Sequence, residues 1–249
     1  MRSIRYNAFT PLWGYTSPGT ARHPLLQERA CGRAMLAPTK RKGSGSMKEQ
    51  NFCRELPAGY TQAYYLNCKK FTVGMIFTAI SFAVLVVVLA LSAVPLLLGA
   101  QPGYAVEFEG FQSLLVMYGF LALMLVYIVL HELVHGAVYK ALTGEKLTFG
   151  ISWSCAFCGV PNIYTTRRTC LLSVAAPLVV FTLIMVPAQI ALFFVHPLCY
   201  WMMALILGGH LGGCCGDGFL MLLLFTRFKD PRTLVRDTGP EQYIYIPNP

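Results

Sequence analysis

The chain has 249 residues, 55% of them hydrophobic and only 12% charged, with a mean hydropathy of +0.54. Soluble globular domains carry roughly 25% charged residues, so this balance excludes an ordinary water-soluble domain and fits one membrane domain with a few spans. The formal charge of +9 does not signal a nucleic-acid partner: residues 1–46 hold eight Lys/Arg against Glu28 alone, whereas a nucleic-acid binder carries its basic face on a folded domain.

That basic stretch ends in Gly43-Ser44-Gly45-Ser46, which is flexible linker chemistry, and Met47 follows directly. Residues 1–46 are therefore expected to be a disordered basic extension, and residues 47–249 the membrane domain. An organelle-targeting peptide would also be Arg-rich and acid-poor, but Pro and Gly interrupt this one and it shows no amphipathic helix.

Four apolar stretches reach the length of about 20 residues that crosses a bilayer: 71–98, 111–139, 171–195 and 197–225. They are apolar all round, where a soluble helical core would show polar faces at a 3.6-residue period. Lys69 and Lys70 precede the first span, Lys140, Lys146, Arg167 and Arg168 lie between the second and third, and Arg227 and Lys229 follow the fourth. The loop after the first span carries Glu107 and Glu109 and no Lys or Arg. The positive-inside rule then predicts a multi-pass protein of the cell membrane with both termini cytoplasmic. Between the second and third spans, Leu147, Phe149, Ile151 and Trp153 alternate with smaller or polar residues, which predicts a small cytoplasmic β-hairpin within 147–164. After the last span, Asp237-Thr238-Gly239 reads as a turn and Tyr243–Ile246 as a short strand. The expected class is an all-α integral membrane protein of four helices with that one hairpin.

Inside the second span stands His131-Glu132-Leu133-Val134-His135, the H-E-x-x-H pattern. Residues four apart lie on one helix face, so both imidazoles can reach one metal ion. Glu132, a quarter-turn away, is placed as a general base towards water rather than as a ligand. Ionisable residues are costly in lipid, which makes a chance occurrence there less credible. A packing cluster bonded to neighbouring helices is the plain alternative.

A catalytic zinc site needs a third protein ligand and an open position. Asp217 lies ten residues before Arg227, and His131 nine before Lys140. At 1.5 Å per residue both sit about 14–15 Å from the same membrane face, on spans of opposite direction. Asp217 is thus the expected third ligand. Glycines at 208, 209, 212, 213, 216 and 218 allow close helix approach and are expected to hold the fourth span against the second. His210 precedes Asp217 by two turns on roughly the same face, about 10 Å along a helix, as an alternative ligand or a transition-state hydrogen-bond donor. Cys155 and Cys158 have C-x-x-C spacing but no second ligand pair, so free thiols are expected.

The stretches His131–Gly150, Ala176-Pro177-Leu178, Gly213–Leu224 and Lys229–Gly239, with Glu55–Phe71 ahead of them, resemble the family of prokaryotic putative zincin membrane peptidases, over about Lys48–Ile246. The arrangement is more distantly similar to the site-2 proteases, intramembrane metallopeptidases with H-E-x-x-H on one span and Asp-Gly on a later one. That resemblance implies His131, His135 and Asp217 as ligands, Glu132 as base and Gly218 as the glycine after the aspartate. Site-2 proteases usually carry an Asn and a Pro ahead of it, where this chain has Gly209 and Gly212. The resemblance implies a Zn²⁺-dependent peptidase acting on a membrane protein or peptide in or beside the lipid bilayer. The rival expectation is a non-catalytic membrane protein whose polar cluster serves assembly or partner binding.

Overall fold

A computed structural model describes residues 51–103, 107–152 and 155–248; the expectations for residues 1–46, Met47 and Trp153 lie outside them. Five helices carry most of the described residues: α1 Phe71–Leu97, α2 Phe111–Thr143, α3 Arg167–Phe193, α4 Pro197–Gly213 and α5 Cys215–Thr226. Among the described residues α1, α2 and α3 are long and apolar enough to cross a membrane, and α4 with α5 makes a fourth if the pair, bent by 41°, is one span. Ile76, Phe82, Val87 and Leu91 of α1 and Leu115, Leu121 and Val129 of α2 are all exposed. Apolar surface on that scale suits lipid and not water, and these helices mark a multi-pass membrane protein.

The helix ends follow from local chemistry. α2 runs four residues past the expected 139 and stops where Gly144 takes a left-handed φ of +70°, as glycine does after a helix C-terminus. α3 begins four residues earlier than expected, because the Thr166 hydroxyl accepts from the Thr169 N–H and caps it. It then continues unbroken through Pro177 and Pro187. His196 caps α4 through a bond from Leu198 N–H, with Pro197 in the first turn. The expected span 197–225 is not one rod: it breaks at Cys214.

The chain is mostly helical but not all-α. Among the described residues seven strands are present: β1 Phe52–Cys53, β2 Tyr60–Asn67, β3 Thr148–Ile151, β4 Ala156–Gly159, β5 Tyr164–Thr166, β6 Leu234–Asp237 and β7 Glu241–Pro247. Five of them form an antiparallel sheet in the order β1-β5-β6-β7-β2. Val235 pairs with Ile244 and with Thr165, and Leu66 with Gln242. Segments before α1, between α2 and α3, and after α5 thus share one sheet, and a reading by local periodicity cannot see such non-local pairing. The hairpin is real but shorter than expected: β3 pairs with β4, Phe149 opposite Cys158, while Tyr164–Thr166 joins the large sheet.

Two clusters of buried side chains hold the architecture. Cys170 and Val174 of α3 and Leu220 and Leu224 of α5 pack on Val235 and Ile244 of the sheet. Val88, Tyr127, Met185, Ile206 and Leu207 join α1, α2, α3 and α4. The glycines act differently from expectation. A Cβ at Gly212 would lie 2.7 Å from the Ser81 carbonyl oxygen, and one at Gly208 2.5 Å from Leu85 Cδ1, so both seat α4 on α1. Only Gly209, 2.6 Å from Met124 Cε by the same measure, faces α2.

Candidate metal centre

α2 presents His131 and His135 on one face, both buried at 8% and 6% exposure. The break at Cys214 starts α5 afresh and puts Asp217 in its first turn, where the helix dipole favours a negative charge. Asp217 Oδ2 lies 3.5 Å from His131 Nε2 and 3.2 Å from His135 Nε2. Ligands at 2.0–2.2 Å around a tetrahedral zinc stand about 3.4 Å apart. The two His–Asp distances match that spacing, and all three donors lie within 4.8 Å of one another. The structure therefore brings together the two histidines and the aspartate that depth-counting had paired, and their nitrogen and carboxylate set fits Zn²⁺.

The tautomer of His135 is fixed by the backbone. Its Nδ1 is 2.9 Å from the Ser173 carbonyl of α3, which can only accept, so Nδ1 carries the proton and Nε2 keeps its lone pair. Ser173 Oγ in turn donates to the His135 carbonyl. His131 has no carbonyl at that place. Its Nδ1 lies 2.9 Å from Tyr127 Oη, one turn back on α2.

Glu132 is not among the converging atoms. Its side chain lines two adjoining cavities. The larger, of about 370 Å³, is bounded by Phe77, Ser81, Met124, Ile128 and the glycine faces of α4 and α5. The smaller, about 100 Å³, is lined by His135, Asp217, Asp237 and Gln242. Cys155 and Ala156 border both. The hairpin owes its seat to Gly136, where a Cβ would lie 2.7 Å from Phe149 Cζ. It packs there directly beside His135.

His210 does not join His135 and Asp217. It is fully buried, with Nδ1 2.7 Å from Tyr127 Oη and Nε2 3.0 Å from Thr182 Oγ1. His131, His210 and Cys214 also bring donor atoms within 4.8 Å, but the Tyr127 hydroxyl is seated between the two imidazoles. The sequence reading passed over Tyr127. The available signal was a buried tyrosine in lipid one turn from a histidine, since such a hydroxyl needs a partner. Cys158, the second cysteine of the C-x-x-C pair, is a free thiol, as are Cys170, Cys199, Cys214 and Cys215.

Residues 124–231 match the model of a family described as putative zincin peptidase. The matched stretch holds His131, Glu132, His135, His210 and Asp217 and leaves out β1, β2, β6 and β7. No curated protein and no solved structure matches the chain.

Proposed function

We propose that this chain is a zinc-dependent membrane peptidase, with His131, His135 and Asp217 as the metal ligands and Glu132 as the general base. The observation that carries the reading is the convergence of two imidazole nitrogens on one carboxylate oxygen, at 3.5 and 3.2 Å, beside a glutamate that is left free of it. The family match over 124–231 supports the same chemistry.

Zn²⁺ held by these three residues would supply Lewis acidity, lowering the pKa of a water towards about 7 and polarising a peptide carbonyl. Glu132 takes a proton from the attacking water as its oxygen bonds to the carbonyl carbon. It then delivers that proton to the departing amine nitrogen as the C–N bond breaks. The 370 Å³ cavity offers an apolar bed for a membrane-spanning or membrane-adjacent segment. Its rim at Cys155–Ala156 is hairpin backbone, to which an extended substrate adds as a strand. The basic flanks support a site in the cytoplasmic half of the cell membrane, with both termini cytoplasmic.

Glu132→Gln separates catalysis from metal holding. The variant purified in detergent should retain the zinc of the wild type and lose at least about a hundredfold in cleavage of a fluorogenic apolar peptide. Normal cleavage by this variant, or a wild type that takes up no zinc, would sink the proposal. Zinc-loaded protein that cleaves no membrane peptide would favour a structural role in assembly.

A further inference from the structure

His131 is the one imidazole at the centre whose ligating nitrogen no backbone group settles. A neutral imidazole has one N–H and one lone pair, and a metal ligand needs the lone pair at the metal-facing nitrogen. For His131 that nitrogen is Nε2, 3.5 Å from Asp217 Oδ2, so the proton must sit on Nδ1. Nδ1 meets only the Tyr127 hydroxyl, at 2.9 Å, and a hydroxyl both donates and accepts. Left alone, Tyr127 donates to Nδ1 as readily as it accepts, and donation would drive the proton to Nε2.

What settles the direction is the second imidazole. Tyr127 Oη has one hydrogen and stands 2.7 Å from His210 Nδ1. On its other side His210 Nε2 lies 3.0 Å from Thr182 Oγ1, a hydroxyl that can accept. With His131 Nδ1–H donating to Tyr127 Oη, the one Tyr127 hydrogen goes to His210 Nδ1, and the His210 proton then sits on Nε2 towards Thr182. We propose that Tyr127 and His210 are positioning residues: a one-way chain, His131 Nδ1–H to Tyr127 Oη–H to His210 Nδ1, holds the His131 Nε2 lone pair towards Asp217 and His135. The chain runs through three buried side chains on α2 and α4, exposed by 8%, 6% and 0% in that order. The tautomers are set from α3 on both sides of the centre: directly by the Ser173 carbonyl for His135, and through Thr182 and His210 for His131. The inference rests on the metal-site reading given under Proposed function.

The direction of the chain makes a prediction that packing does not. In His210→Ala the Tyr127 hydrogen loses its acceptor and turns to His131 Nδ1, which selects the tautomer that cannot ligate. Zinc affinity, measured by competition with a chromogenic chelator in detergent, should fall about 10- to 100-fold, the usual effect of losing an outer-shell partner. His210→Asn places Oδ1 where Nδ1 was and should recover most of that loss. Tyr127→Phe, which removes the hydroxyl altogether, should also weaken binding. The double variant Tyr127→Phe with His210→Ala should bind no worse than His210→Ala, because the misdirecting hydroxyl is gone. Losses that multiply in the double variant, or an Asn variant as weak as the Ala variant, would reduce both residues to packing and overturn the chain. Wild-type affinity in His210→Ala overturns it too. His135→Ala keeps the two failures apart. If His135→Ala still binds zinc like the wild type, the ligand set itself is wrong; if it loses zinc while His210→Ala does not, only the positioning chain falls.

Discussion

Asp237 shows how a single residue couples the sheet to the centre. Its carboxylate accepts from Tyr139 Oη of α2 at 2.8 Å and from the Gly239 N–H at 2.9 Å, and it is buried. Burial outweighs both donors and pushes its pKa up from 3.8 to about 6. The folded chain therefore holds this proton more tightly than the unfolded chain does. Its contribution to stability is complete below about pH 4 and is lost as pH rises through about 6, a change on the order of 3 kcal/mol. Asp237→Asn should flatten that part of the curve. Thermal midpoints of wild type and variant in detergent, compared from pH 4 to 7, check it: equal slopes would refute the assignment. At this scale the sequence was legible where a residue's role is set by its own helix. His131, Glu132 and His135 could be placed by their spacing, and Asp217 by its depth. Tyr127 and Asp237 were not, because each takes its role from a partner on another element, His210 for one and Tyr139 for the other.

Among the elements, the apolar helices were legible because length and apolarity are local properties, and the large sheet was not because its pairing is distant. β2 reads Tyr-Thr-Gln-Ala-Tyr-Tyr-Leu-Asn, with a register shift between Gln62 and Tyr64, so no alternation announces it. β6 has only four residues. The glycine run was seen but assigned to the wrong neighbour, since a sequence does not say which helix a small residue faces. Its effect is now specific. Gly212 donates no side chain because the Ser81 backbone occupies that space, and Ser81 Oγ bonds the Gly212 carbonyl at 2.7 Å. Gly212→Leu should force α4 off α1, at about 1–3 kcal/mol, and lower the thermal midpoint in detergent. Gly213→Ala is the control, for nothing lies within 4 Å of a Cβ there; it should lose no more than about 0.5 kcal/mol. Equal destabilisation by the two would mean that α4 tolerates side chains all round and that the α1 contact does not depend on Gly212.

For the whole molecule, the sheet fixes how many times the chain crosses. β2 precedes α1, β5 runs into α3, and β6 follows α5, yet β5 pairs with β6, β6 with β7 and β7 with β2. These segments lie on one side of any membrane that α1, α2 and α3 span. The other end of the bundle holds the far termini: Gly103 N–H bonds the Phe193 carbonyl, and Phe108 packs on the His196 ring. α4 starts there, beside His196. α5 finishes back at the sheet, where Arg167 Nε donates to the Leu224 carbonyl. If α1, α2 and α3 each cross, the β5–β6 pairing predicts that the bent pair α4–α5 covers the full thickness as one broken span, for four crossings rather than three with a re-entrant hairpin. Broken helices are tolerated at membrane depth where the freed backbone lines a protein cavity, as Gly213 and Gly216 do here. With Lys69, Lys70, Arg167, Arg168, Arg227 and Lys229 all at the sheet end, the positive-inside rule predicts that this end faces the cytoplasm. Epitope tags inserted at Gln101 and at Asn248 test number and direction together. The Gln101 tag should bind antibody on intact cells and the Asn248 tag only after permeabilisation; tags that report the same side would require three crossings and place the sheet segments on opposite faces, which the β5–β6 pairing forbids.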